Sequence, residues 1–118
     1  MLPYLHRQCY LKFSEVLQQL QRADTPIDAS KLYQKFLEAQ QIFQQQILSL
    51  DASDLNQNTQ SRIRSYQTEI SKQLRLVEMD IRFLQAAKAE ATATTRQLQI
   101  SDRLKTLQSY CEAIKQLN

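Results

Sequence analysis

The chain has 118 residues, 42 % apolar and 23 % charged, with two prolines and no glycine. Without glycine there is no P-loop, no dinucleotide fingerprint and no nucleophile elbow, and tight turns are disfavoured, so the expected fold is all-α. Fifteen basic against twelve acidic side chains leave a net charge of +3, but the charges are well mixed, which reads as solvated helix surface rather than a nucleic-acid footprint.

Hydrophobic periodicity predicts one helical domain over 1–118, with helices at about 3–22, 26–49, 54–92 and 97–117. The first opens at Pro3, where a missing N–H costs nothing. Leu5, Cys9, Phe13, Val16 and Leu20 form its seam, Leu17 widens it, and Tyr4, Tyr10 and Leu11 fall off the stripe. The second helix has a capping-box start, with Thr25 as N-cap, Pro26 as first helical residue and Asp28 three residues after the cap. Its seam runs Leu32, Phe36, Ala39, Phe43, Ile47 and Leu50, and glutamines fill the outward positions.

Asp51, Ser53 and Asp54 are candidate caps for the third helix, the most informative stretch of the chain. Ile63, Ile70, Leu74, Val77, Ile81 and Leu84 share one face. At ~100° per residue, Leu76, Met79 and Phe83 form a second apolar stripe well away from the first. Arg64, Arg75 and Arg82 align on a third face, about 140–160° from Val77 by the same arithmetic. A helix apolar on two sides needs cover on two sides. The threonine cluster at Ala91–Thr95 is the most plausible bend, after which Leu98, Leu104, Leu107, Cys111 and Ile114 mark the fourth helix.

Short connections make neighbouring helices antiparallel, which gives a bundle-like arrangement of four helices with a long third one. A third helix of ~40 residues, about 60 Å, would outrun the first two and leave a two-helix arm with apolar seams on show. Pairing with a second copy would cover it, so a homodimer through Leu76, Met79, Phe83 and the fourth helix is expected. The same stripe could instead pack on the first helix. The competing layout is a monomeric four-helix bundle with a shorter or kinked third helix, which would bring Cys9 and Cys111 toward one end.

Chemistry is scarce. His6 is the sole histidine, on the first turn beside Arg7, and reads as solvent-exposed. No metal-ligand spacing occurs, and Glu69, Glu78, Asp80 and Glu90 spread round the helix as surface charge. Neither catalytic residues nor cofactor or metal sites are expected, and the cysteines read as reduced packing residues. The best candidate for recognition is the row Arg64, Arg75 and Arg82 with Lys72 nearby, since aligned guanidinium groups can dock an acidic segment. The competing view is that these are solvated positions balanced by Glu78. No apolar run approaches a membrane span, and the opening residues show no basic leader ahead of an apolar block. A cytoplasmic protein is therefore expected.

Three stretches carry a family resemblance: Met1-Leu-Pro-Tyr-Leu-His-Arg-Gln-Cys-Tyr-Leu-Lys-Phe13, the glutamine-rich run 39–48, and 65–82, from Ser65-Tyr-Gln-Thr-Glu-Ile through Val77-Glu-Met-Asp-Ile-Arg82. With these, and in length and helix order, the chain resembles the cyanobacterial heterocyst frequency control protein PatD family. The resemblance implies a cytoplasmic, non-enzymatic regulator of how often vegetative cells become heterocysts. It also implies contact with the tubulin-like division protein FtsZ. It assigns no functional residue.

Overall fold

The computed structural model describes residues 2–22 and 28–117. Four α-helices follow in order: α1 (Tyr4–Gln21), α2 (Ala29–Gln41), α3 (Gln57–Ala86) and α4 (Glu90–Lys115), with a π-helical turn (Ile42–Ile47) continuing α2. They form an antiparallel four-helix bundle. Each helix packs on its neighbours in the chain and α4 closes the ring against α1, leaving α1 diagonal to α3. The first helix therefore does not cover the second apolar stripe of the third; it packs on α2 and α4 and meets α3 through Tyr10, whose hydroxyl accepts from the Gln67 amide.

Amphipathic periodicity drives the burial, but two helices are rotated from their expected phase. In α1 the buried arc holds Cys9, Tyr10, Phe13, Val16, Leu17 and Leu20, while Leu5 is 63 % exposed. Facing both α2 and α4 widens and turns the arc, which draws in Tyr10 and leaves Leu5 outside. In α4 the seam is Ile100, Leu104, Leu107, Cys111 and Ile114, a regular four-three spacing. Leu98 is 63 % exposed. Six residues before Leu104, it lies about 120° round the helix.

Caps are set locally. Asp28 ends the connection into α2, its Oδ1 accepting from the backbone N–H of Ser30 at 3.0 Å and of Lys31 at 3.4 Å. The expected cap Thr25 and first residue Pro26 lie outside the described residues. For α3 the cap is Asn56, which accepts from the Thr59 N–H at 2.8 Å, two residues after the last acidic candidate. Asp51 instead closes a loop turn by accepting from the Ser53 N–H at 2.9 Å. That bond holds its carboxyl below the ordinary carboxylate value.

The π turn also has a packing cause. The Leu48 N–H donates to the Phe43 carbonyl, five residues back, at 3.0 Å. Wider closure of this kind brings Ile42, Phe43 and Ile47 inward together. At α-helical spacing Ile42 and Ile47 would sit about 140° apart and could not both reach the core.

The third helix is long, but it spans thirty residues rather than ~40 and ends at Ala86, not in the threonine cluster. Extended backbone at Ala87 and Ala89 turns the chain back. Thr92–Thr95 lie inside α4, where the Thr95 hydroxyl donates to the Ala91 carbonyl at 3.0 Å, a bond that an α-helix accommodates. The antiparallel run of α4 then covers α3 along most of its length: Tyr66 packs on Tyr110 near one end, and Asp80 meets Arg96 and Arg103 near the other. Of the two layouts, the one with the shorter third helix is found.

Candidate functional site

The aligned arginines of α3 lie on its outer face, and Arg64, Lys72, Arg75 and Arg82 are all exposed. Their surroundings divide them. Arg82 approaches Glu78 at 3.7 Å, and its guanidinium lies over the Tyr33 ring, 5.9 Å from the centroid. The Tyr33 hydroxyl donates to the same Glu78 carboxylate at 3.3 Å. Balance by Glu78 thus holds for Arg82 alone. Among the described residues, Arg64, Lys72 and Arg75 form no ion pair.

Arg64 and Arg75 both line a cleft of ≈ 540 Å³ between α3 and the end of α2. Gln40, Phe43, Gln44 and Leu48 form the opposite wall, and Leu74 with Thr68 and Ser71 lines the α3 side. Among the described residues no carboxylate lines it. Three turns separate the two arginines, about 16 Å along the axis. Lys72 and Arg82 lie outside the cleft. The spacing of the row was readable from the sequence. The facing wall was not, because the glutamine-rich stretch reads as outward filler until the π turn fixes its phase.

The second apolar stripe is not buried against α1. Leu76 is half-buried, Met79 is 50 % exposed and Phe83 is 46 % exposed. One face of Phe83 is covered by the Arg96 guanidinium, 4.4 Å from the ring centroid, a cation–π contact.

Asp80 is no surface charge. It is 3 % exposed, accepting from Arg103 Nε at 2.6 Å and from Arg96 at 3.1 Å. Arg96 also donates to Gln99 Oε1 at 3.1 Å. One carboxylate and two guanidinium groups therefore join α3 to α4. The sequence held a signal for it: Asp80 lies three residues after Val77 and four before Leu84, on the flank of the buried face.

His6 is buried, not solvent-exposed, because its Nε2 lies 3.0 Å from the Asp51 carbonyl and ties α1 to the α2–α3 connection. Cys9 and Cys111 are free and buried. Burial pushes the Cys111 thiol up to about 12, and the buried Tyr10 phenol, electrostatically coupled to both thiols, is likewise pushed up to about 12. The described residues contain no group of three or more His, Cys, Asp or Glu placed to hold a metal ion. None of their helices is long and apolar enough to cross a membrane.

Comparison with protein-family models, with curated proteins and with solved structures returns no match for this chain.

Proposed function

We propose that this chain is a non-enzymatic regulatory interaction protein that binds another protein through the outer face of α3. The observation that carries this reading is the exposed cationic row in which Arg64, Lys72 and Arg75 have no acid within the described chain to neutralise them. A rigid helix presenting unpaired guanidinium groups suits recognition of carboxylates on a partner surface. The likeness to the PatD family names the partner as FtsZ, the effect as altered assembly of that protein in the cytoplasm, and the outcome as a limit on heterocyst frequency. The alternative is a helical nucleic-acid-binding or general adaptor module.

Reversing the row (Arg64→Glu, Arg75→Glu, Arg82→Glu) is expected to weaken binding to purified FtsZ by about tenfold or more. The circular dichroism spectrum should not change. Wild-type affinity in the folded triple variant would discard the Arg face. Steeply salt-dependent binding to duplex DNA, with no affinity for FtsZ, would favour the alternative.

We also propose a homodimer through Leu76, Met79 and Phe83. The half-exposure of Met79 and Phe83 supports it, because a second copy would cover apolar surface that one chain leaves wet. Light scattering is expected to give the mass of two chains, and Phe83→Glu the mass of one. A wild-type mass of one chain at micromolar concentration sinks the dimer.

A further inference from the structure

The geometry points to the cleft between α3 and the π turn as a docking site for a short extended acidic peptide, with two carboxylates flanking an apolar residue. The inference rests on the protein-binding reading above and narrows it to one part of the cationic row. Among the described residues, Arg64 and Arg75 stand at the cleft without an acidic partner and no carboxylate lines the space between them. Arg82 is taken up by Glu78 and Tyr33 and lies outside. An occupant must therefore bring negative charge.

The cleft wall has an apolar part. Phe43 and Leu74 contribute to the lining from the core, and Leu48 is left 49 % exposed at its edge. Gln40, Gln44 and Ser71 offer donors and acceptors to a peptide backbone. An apolar patch between two cations suits a segment with one apolar anchor and an acid on each side.

The cleft holds ≈ 540 Å³ and runs along α3 from Arg64 to Arg75, a path that an extended segment follows with few residues. An extended strand advances ~3.3 Å per residue with side chains alternating between faces, so carboxylates four residues apart, about 13 Å, share one face with the apolar residue midway and reach both guanidinium groups through their flexible side chains.

The test titrates isotope-labelled protein with a synthetic peptide, Ac-Glu-Ala-Phe-Ala-Glu-amide. Its glutamine counterpart and a short DNA duplex serve as comparisons. The expected amide shifts cluster at Gln40, Gln44, Leu48, Thr68 and Ser71. Arg64→Glu or Arg75→Glu should each weaken the peptide by about tenfold, with Arg82→Glu leaving it unchanged. A melting curve for each variant excludes unfolding as the cause. The proposal falls if the acidic peptide gives no shifts at millimolar concentration, if the glutamine peptide binds equally well, if Arg82→Glu matters as much as Arg64→Glu, or if the duplex alone occupies the cleft. Retained FtsZ binding in an Arg64→Glu, Arg75→Glu variant would place that partner elsewhere on the face while the peptide result still decides the cleft.

Discussion

Replacing Asp80 with alanine is expected to destabilise the protein by about 2–3 kcal/mol and to lower its melting temperature by about 10 °C. The carboxylate is 3 % exposed and has two guanidinium groups on it, at 2.6 and 3.1 Å. Deleting it leaves two cations of α4, seven residues apart, turned toward α3 with no counter-charge. Breaking a fully buried pair costs about 3–5 kcal/mol. The Arg96 and Arg103 side chains keep 31 % and 29 % exposure, so both can turn partly toward water, and the lower figure applies. Arg96→Met or Arg103→Met alone should cost about 1 kcal/mol, because the other arginine still neutralises Asp80. A double-mutant cycle on Asp80 and Arg96 is expected to be strongly non-additive. Thermal melts in which Asp80→Ala tracks the wild type would show that the seam holds without the charge.

The same cluster explains what the sequence could and could not reveal. The all-α architecture followed from the missing glycine and from the runs Leu32–Phe36–Ala39 and Ile70–Leu74–Val77–Ile81, which the bundle buries as expected. Period was legible in all four helices, but phase held only in α2 and α3. In α1 Tyr10 and Leu5 exchanged roles, and in α4 Ile100 and Leu98 did, because each of those seams is set by the packing of α1 on α4. The end of α3 had no local signal at all. Ala86-Ala-Lys-Ala89 favours helix at every position, and a straight continuation through the threonines would satisfy the backbone equally well. What α3 gains by stopping there is tertiary: the reversed chain brings Arg96 and Arg103 to Asp80 and lays the Ile100 seam on the core. In the candidate site, the arginine row came directly from residue spacing along α3. Its division into a cleft-lining pair and a paired Arg82 depends on Tyr33, Phe43 and Leu48 of a different element.

Alkaline pH is expected to act at the opposite end of the bundle and to be more damaging than any single substitution. Burial raises the Tyr10 phenol from 10.0 to about 12, against a smaller opposing effect from the Gln67 amide that donates to it at 3.1 Å. The Cys111 thiol rises from 9.0 to about 12 for the same reason, desolvation of the anion. Both groups hold their protons more tightly folded than unfolded. Their contribution is therefore fully present below pH 9 and is lost as pH climbs from about 9 toward 12. At 1.36 kcal/mol per unit the loss is about 3 kcal/mol for Tyr10 and about 4 kcal/mol for Cys111. Part of the two shifts is shared, because a Cys111 thiolate itself raises Tyr10, so the combined loss is below their sum and still a large fraction of the ~5–15 kcal/mol that holds a typical domain together. In denaturant titrations from pH 8 to pH 12, Tyr10→Phe and Cys111→Ala are each expected to start less stable, Cys111→Ala through lost packing and Tyr10→Phe through the lost Gln67 bond. Each should then decline less steeply, and the double variant should lose most of the slope. Tyrosinate absorbance supplies the independent readout, since the Tyr10 anion should form only together with unfolding. A midpoint that stays level across this range in the wild-type protein would mean that water reaches Tyr10 and Cys111 in the folded bundle, and that the packing of α1 on α4 is looser than their burial implies.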